Sequence, residues 1–281
     1  ATAGLAANFK SDAVTVEVAI TGGGVDPTAP VQLWADGPYF ATCNVGANTP
    51  QEYGYYFWWG DTVGYKRDGD NWVPVADGTI ISFENVTPAN STYDKTIDEL
   101  SSEGWIDESG NLAATNDAAT VKLGTPWRMP TREELRILVD SSYCTSVWTN
   151  DYKETGVAGR IVTGLGAYSG NSVFFPETGH GEKTGLTNNL SAFWSSTPLE
   201  DKRYAAPLVF STNLCSVVNI FRTYGCSVRP VRDTPPSLSA SAISAKSAAG
   251  TVDLRTNVAL AEGETTVSIV TWSATAWGAV P

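Results

Sequence analysis

The chain has 281 residues, a formal net charge of −12 and a hydrophobic content of 42%. Phosphate binding needs clustered Lys and Arg, so this charge argues against nucleic acid as a partner. No run of about 18 apolar residues occurs, which argues against direct insertion into a membrane. The chain begins at Ala1 without a signal-peptide pattern, which predicts a mature or trimmed form. One large domain, or a main domain with small attachments, fits this length.

The cysteines and the single histidine limit the chemistry. Cys43, Cys144, Cys215 and Cys226 include no Cys-x-x-Cys pair and are too few for a disulfide scaffold, although one bridge between Cys43 and Cys144 stays open. His180 is the only histidine, which excludes zinc motifs that need two histidines. It stands beside turn glycines, which predicts an ordinary turn residue. No cofactor is predicted, and a structural calcium ion held by loop oxygens stays open.

Both ends of the chain have a β-strand pattern. Apolar and more polar residues alternate from Val14 to Ile20, which predicts a half-buried strand within residues 1–30 that needs a pairing partner. Residues 234–281 begin with a Thr-Pro-Pro linker signal and then alternate like immunoglobulin-like strands, but they are short for a complete sandwich. They either complete a small sheet with residues 1–30 or form half of a module shared with a neighbouring chain.

Residues 31–233 are the predicted main domain, and it begins with a segment dense in aromatic residues. A soluble monomer does not expose so many, so most are expected in the core, with a sugar-stacking platform as the functional alternative. These residues are Trp34, Tyr39, Phe40, Tyr55, Phe57, Trp58 and Trp59. The excursion that follows predicts a hairpin of residues 71–75 and 79–83 across Asp77-Gly78.

Three helices are predicted before a β-rich second half. The first spans residues 91–102. The second spans residues 118–123, with Asn116 or Asp117 as its N-cap and Gly124 as its αL terminator. The third opens with a capping box of Thr131 and Glu134 and ends near residue 142. Extended segments follow at residues 146–148, 159–163, 171–176, 192–196, 205–210, 214–221 and 226–231. The last two of these segments are predicted to form a hairpin around Tyr224-Gly225.

Two kinds of residue alternate within residues 192–232. Seven bulky residues have the spacing to face a core: Phe193, Trp194, Leu208, Phe210, Val218, Val228 and Val231. The residues between them share no chemistry. Neighbouring side chains of a strand point to opposite faces. We therefore expect one face to hold the fold and the other face to vary and bind a ligand.

Five segments, taken in order, resemble one family of domains. They are ATCNVGANTPQEYGYYFWWGDT (41–62), DAATVKLGTPWRMPTREEL (117–135), GRIVTGLGAYSGNSVFFPETGH (159–180), FWSSTP (193–198) and YGCSVRPVR (224–232). Together they resemble the Bacteroidetes-type C-type-lectin-like domains related to formylglycine-generating enzymes. Within that family they are similar to the variable proteins diversified by retroelements, which include phage tail proteins and bacterial surface or pilus adhesins. The resemblance implies an α+β fold, with two to three helices around short, mostly antiparallel sheets.

The resemblance also implies where a ligand binds, because varied side chains in diversified relatives project outward between FWSSTP and the closing segment. In this chain these positions are Leu199, Glu200, Asp201, Lys202, Arg203, Tyr204, Ala206, Pro207, Val209, Thr212, Asn213, Leu214, Asn219, Phe221, Arg222 and Tyr224. Phe221, Tyr224, Arg222 and Arg203 are the expected anchors, because aromatic residues and Arg dominate binding hot spots. Pro207 is unfavourable inside a strand, so it indicates either imposed variation or an edge strand.

These observations predict a non-enzymatic ligand- or receptor-binding protein whose partner is a protein or glycan on a target cell surface. The expected location is extracellular, on a bacterial cell surface or a virion. A structural appendage subunit that joins neighbouring subunits of a fibre or pilus through its β-rich ends is the alternative. A glycan-active enzyme is less favoured. Glycosidases use a pair of carboxylates, but a chain with thirty acidic residues always contains a pair at a plausible separation, so such a pair is weak evidence. The motif around Cys215 and Cys226 differs from that of the oxidases in the resembled family.

Overall fold

The computed structural model describes residues 15–17, 30–68, 71–75, 81–82, 92–182, 185–187, 190–234, 241–248, 251–257 and 268–270. The chain divides into two compact units, one of Ala1–Gly23 with Pro236–Pro281 and one of Gly24–Pro235. Within the described ranges, no helix has the length and apolar character needed to cross a membrane.

Short strands dominate the secondary structure. The strands are β1 (Thr15–Glu17), β2 (Val31–Gln32), β3 (Tyr39–Phe40), β4 (Tyr56–Phe57), β5 (Tyr65–Asp68), β6 (Asn71–Pro74), β7 (Ile81–Ser82), β8 (Cys144–Thr149), β9 (Gly159–Gly164), β10 (Ser172–Pro176), β11 (His180–Glu182), β12 (Gly185–Thr187), β13 (Ser191–Phe193), β14 (Tyr204–Ala205), β15 (Leu208–Phe210), β16 (Cys215–Val217), β17 (Ile220–Phe221), β18 (Cys226–Ser227), β19 (Val231–Arg232), β20 (Ser241–Ala248), β21 (Thr251–Asn257) and β22 (Ser268–Val270). The α-helices are α1 (Ile97–Ser102), α2 (Ala118–Leu123) and α3 (Arg132–Val139), with 3₁₀ turns at Tyr152–Glu154 and Gly166–Tyr168. The predicted mixed α+β class is confirmed.

The smaller unit contains strands from both ends of the chain. β1 pairs antiparallel with β22, and Val16 lies opposite Ile269. β20 pairs antiparallel with β21, with a register irregularity between Ser241 and Ser244. The β1–β22 pair agrees with the alternative in which the two ends complete one small sheet. The rest of the strand predicted from Val14 to Ile20 lies outside the described residues.

An eight-stranded sheet is the frame of the larger unit. Its strand order is β16-β15-β13-β18-β4-β5-β6-β7, and only β13 and β18 pair in parallel. Two three-stranded sheets have the orders β10-β9-β8 and β19-β3-β2, while β11–β12 and β14–β17 are two-stranded. The antiparallel pairing of β6 with β7 confirms the predicted hairpin, whose Asp77-Gly78 turn lies outside the described residues.

Capping side chains fix the starts of the second and third helices as predicted. The Asp117 carboxylate accepts hydrogen bonds from the backbone N–H groups of Thr120 (2.9 Å) and Met129 (2.8 Å), so it caps α2 and ties it to the segment ahead of α3. Thr131 and Glu134 form the expected capping box of α3. The last helical residue of α3 is Val139, which is earlier than the predicted end at residue 142.

The first helix starts later than predicted. Thr96 and Glu99 form a capping box, so α1 begins at Ile97 and not near residue 91. Leu100 lies on the inward side of the helix and is fully buried. Residues 92–95 form a turn ahead of the helix, in which the Lys95 N–H donates to the Thr92 carbonyl (3.3 Å), and this turn lies beside the candidate site.

The aromatic segment packs mostly into the core, as predicted. The indole N–H of Trp59 donates to the Ser195 carbonyl (2.9 Å), and that of Trp194 donates to the Phe57 carbonyl (2.8 Å). These bonds join the segment to FWSSTP. The buried members are Trp34, Phe40, Phe57, Trp58 and Trp59, and the half-buried members are Tyr39 and Tyr55.

The second half of the main domain has the predicted core but a different strand pairing. Six of the seven predicted core residues are buried, and Val218 is half-buried against the same core. The hairpin predicted for residues 214–221 and 226–231 is wrong, because β17 pairs with β14 while β18 pairs with β4 and β13. β15 and β16 form a hairpin instead, with Val209 opposite Ser216.

Candidate ligand-binding surface

Predicted site residues around β14 and β17 come together on one surface. Residues 199–204 form a turn in which the Leu199 N–H donates to the Tyr204 carbonyl (3.2 Å) and the Tyr204 N–H donates to the Asp201 carbonyl (3.0 Å). Glu200 is exposed in this turn. β14 then pairs with β17, which places Tyr204 opposite Phe221. The turn and Phe221 are therefore neighbours.

Four half-buried aromatic residues form a row that we call the aromatic strip: Tyr93, Tyr204, Phe221 and Tyr224. The centre of the Phe221 ring lies 4.6 Å from that of Tyr204, 5.7 Å from that of Tyr224 and 6.4 Å from that of Tyr93. Aromatic pairs at these separations attract each other beyond their buried area. The strip is therefore a cohesive patch of the side chains that dominate binding hot spots.

Exposed charged side chains border the aromatic strip. The Arg203 guanidinium pairs with the Asp201 carboxylate (Nη2 to Oδ2, 3.0 Å) and lies 5.4 Å from the centre of the Tyr204 ring. Hydrogen bonds from Arg203 hold the pKa of Asp201 below its usual value. Lys202 Nζ lies 3.6 Å from Asp94 Oδ1. Exposed pairs of this kind contribute little to stability, so they can exchange partners when a ligand arrives.

The prediction that Arg222 is a ligand-binding anchor is wrong, because its side chain lies in the core and is only 1% exposed. The side chain stacks over Trp59, 4.9 Å from the ring centre. Burial lowers the pKa of Arg222 to about 10, so the group stays charged at neutral pH. Its guanidinium donates to the backbone carbonyls of Thr92 (2.9 Å), Lys95 (3.0 Å), Leu199 (3.3 Å) and Tyr204 (2.9 Å). Arg222 therefore positions two loops beneath the surface and contacts no ligand itself.

Ala206, Pro207 and Val209 are wrong as outward positions, because all three are buried. β15 is paired on both edges, by β13 and β16, and Val209 packs within a core cluster. Pro207 lies between β14 and β15 and belongs to neither strand, while its carbonyl accepts from the Val218 N–H (3.2 Å). Its missing N–H costs no ladder hydrogen bond, so neither imposed variation nor an edge strand is needed to explain it.

The remaining predicted residues lie at the two ends of β16. Thr212, Asn213 and Leu214 are exposed at the tip of the β15–β16 hairpin, and Asn219 is exposed between β16 and β17. The buried guanidinium of Arg160 supports the tip, because its Nη2 donates to the carbonyls of Ser211 and Thr212, each at 3.0 Å.

Sequence reasoning missed Tyr93, and the prediction that His180 is an ordinary turn residue is wrong, because His180 begins β11. The helix predicted from residue 91 included Tyr93, although the Thr-x-x-Glu pattern at Thr96 marks a later helix start. His180 is buried, its Nδ1 lies 2.7 Å from the Leu190 carbonyl, and its ring stacks on Tyr224 at 5.3 Å. His180 therefore supports one end of the aromatic strip, and a turn-rich sequence gives no local sign of that contact.

The structure and the comparisons define the class of protein only broadly. It is an α+β protein, mostly β, with several small sheets. None of its four cysteines is in a disulfide, so Cys43 and Cys144 form no bridge. In the part of the chain that the structure describes, no group of three or more His, Cys, Asp or Glu side chains could hold a metal ion. The chain matches no family model, no curated protein and no solved structure.

Proposed function

We propose that this chain is a non-enzymatic binding protein with a C-type-lectin-like domain of the formylglycine-generating-enzyme type, as in retroelement-diversified variable proteins. It binds a protein or glycan on a target cell surface from a bacterial surface or virion. The observation that carries the proposal is the aromatic strip with its exposed charged border, Asp201, Lys202 and Arg203. This surface concentrates the side chains that dominate hot spots on a patch whose backbone is anchored from below by Arg222.

The proposal assigns different tasks to the strip and its border. The rings of Tyr204 and Phe221 provide apolar contact area without ordering long side chains, so they carry most of the affinity. The exposed charges steer encounter and discriminate between ligands. Truncating one hot-spot residue costs at least about 2 kcal/mol, which corresponds to a roughly thirtyfold loss of affinity.

A binding comparison tests this assignment. Fluorescently labelled wild-type protein and the Tyr204→Ala, Phe221→Ala double variant are applied to a glycan array and to a panel of intact bacterial cells. The control is Tyr143→Ala, which removes an aromatic side chain of 44% exposure outside the strip. We expect every wild-type signal to fall at least tenfold in the double variant and to persist in the control. Retention of binding by a folded double variant would place the site elsewhere.

The second candidate function is a structural appendage subunit, and the pairing of β1 with β22 favours it. Among the described residues β1 and β22 form a two-stranded pair, and a neighbouring chain can add a strand to the edge of such a pair. Sizing of the full chain and of a chain that lacks residues 1–23 and 236–281 tests this role. Assembly of the full chain that disappears on truncation, with the near-UV circular dichroism of the larger unit retained, supports it.

A further inference from the structure

A cleft of about 600 Å³ lies in the larger unit and uses no residue of the aromatic strip. Its walls include Glu52 and Tyr53 from the loop before β4, Lys66 from β5 and Glu177 after β10. Small-molecule sites have volumes of roughly 300–1,000 Å³, so this cleft has the size of a ligand site. The proposed function gives it no role.

The loop that forms one wall of the cleft is held in a single shape. The Tyr55 N–H donates to the Val45 carbonyl (2.8 Å), and the Asn44 side-chain amide donates to the Tyr53 carbonyl (2.9 Å). Gly54 has a φ of 72°, and a Cβ there would lie 2.4 Å from the Val45 carbonyl oxygen. A ligand therefore meets a wall that is already ordered, which lowers the entropic cost of binding.

The charges of the cleft favour a cation. The lining contains two carboxylates, of Glu52 and Glu177, and one ammonium group, of Lys66. Glu177 is half-buried, and within the described part of the chain its carboxylate has no hydrogen bond or ion pair. Burial raises the pKa of Glu177, because it removes water from the carboxylate. An ammonium group on a ligand would replace that water with both donors and an opposite charge.

The aromatic walls favour a ligand that also has hydroxyl groups and an apolar face. Tyr53 is 44% exposed, so its ring offers a surface for stacking. Burial and the nearby Glu177 carboxylate raise the pKa of Tyr53, so its phenol keeps its proton and can donate to a hydroxyl. The ammonium group of Lys66, which lines the cleft, already lies 5.3 Å from the centre of the Tyr55 ring.

We propose that this cleft binds a hydroxylated ring that carries a primary ammonium group, the chemistry of an amino sugar. The ammonium group pairs with Glu177, the hydroxyl groups exchange hydrogen bonds with Glu52 and Lys66, and the apolar face of the ring packs on Tyr53. The site is separate from the aromatic strip and does not depend on the function proposed for it.

Titration of the isotope-labelled full chain at neutral pH, followed by amide NMR, tests the proposal with D-glucosamine as the probe and D-glucose as its uncharged match. We expect the Gly46 and Gly54 signals to shift with glucosamine and the affinity for glucose to be at least tenfold lower. Glu177→Gln should remove this preference, and Tyr53→Ala should weaken both sugars.

Phe221→Ala is the control for independence, because it changes the strip and should bind glucosamine as the wild type does. Equal affinity for the two sugars, absence of shifts at Gly46 and Gly54, or a preference that survives Glu177→Gln would each overturn the proposal. Circular dichroism establishes whether each variant is folded. If Glu177→Gln does not fold, the proposal is tested by whether Tyr53→Ala weakens the binding of both sugars.

Discussion

Arg222→Met tests whether a buried guanidinium holds the candidate surface together. The substitution keeps an apolar chain over Trp59 and removes the donors to four backbone carbonyls. The Thr92 and Tyr204 carbonyls keep a backbone donor, from the N–H groups of Lys95 (3.3 Å) and Leu199 (3.2 Å). Within the described part of the chain, the Lys95 and Leu199 carbonyls lose their only donor.

These losses set the expected magnitude. Each partly buried carbonyl left without a donor costs about 1–3 kcal/mol, and the lost cation–π contact costs about 1 kcal/mol. Burial of the guanidinium lowers the pKa of Arg222 to about 10, which shows that burying this charge is costly. Removing the charge removes that cost and so offsets part of the loss. We therefore expect Arg222→Met to lower the free energy of unfolding by about 2–4 kcal/mol, which corresponds to roughly 4–16 °C in Tm for a unit of this size.

Urea unfolding followed by tryptophan fluorescence measures this effect, with Arg203→Met as the matched control. Arg203 is exposed, and its contacts with the Asp201 carboxylate and the Tyr204 ring lie at the surface, so its loss should destabilise far less than the loss of Arg222. Arg222→Lys should lie between the two, because an ammonium group lacks the planar set of five donors. If Arg222→Met is no more destabilising than Arg203→Met, the guanidinium does not hold these loops.

Two further predictions concern acid stability and backbone strain. Hydrogen bonds from Arg128 lower the pKa of Asp233 in the folded protein. The pair therefore stabilises the folded protein above the unfolded pKa of Asp, about 3.9, and this stabilisation is lost as the pH falls through the lower folded pKa. The difference in urea midpoint between wild type and Arg128→Gln should therefore shrink on going from pH 6 to about pH 2, and a constant difference would contradict the pairing. Gly54→Ala should destabilise by more than Gly110→Ala, since both have positive φ but only the Gly54 Cβ would collide, at 2.4 Å, with the Val45 carbonyl. Equal loss in thermal melts would show that the collision is relieved.

Local signals predicted the parts of the fold that local interactions determine. The N-caps of α2 and α3 involve residues at most a few positions apart, such as Thr131 and Glu134, and the observed caps, Asp117 and Thr131, are among those predicted. The αL terminator predicted at Gly124 is wrong, because this residue has a φ of 78° and a ψ of 165°. The same rule applied to Thr96 and Glu99 would have placed the start of α1 correctly and left Tyr93 outside the helix. Bulk and spacing also identified six buried residues of 192–232, although buried residues such as Val209 were missed.

Non-local pairing caused the errors in the candidate site. Arg222 looked like a surface anchor because its partners, such as the Thr92 carbonyl 130 positions away, carry no mark in the sequence. Val209 looked outward because alternation assumes that one face of the strand is exposed to solvent. Both faces of β15 are covered instead, since Val209 packs in one core cluster and Leu208 and Phe210 pack in another. The β18 strand was assigned to the wrong hairpin because proximity in sequence favours a local partner, while its partners are β4 and β13.

The buried arginines suggest how exposed loops of this fold keep their shape when their side chains change. Arg222 holds residues 199–204 through the carbonyls of Leu199 and Tyr204, and Arg160 holds the hairpin tip through those of Ser211 and Thr212. Every amino acid presents the same backbone carbonyl. Substitution of the exposed side chains at 200–203 or 212–214 therefore leaves these anchors intact, whereas substitution of either arginine releases a whole loop. The exposed loop positions therefore tolerate substitution because the two buried arginines beneath them, which do not, hold the backbone in place.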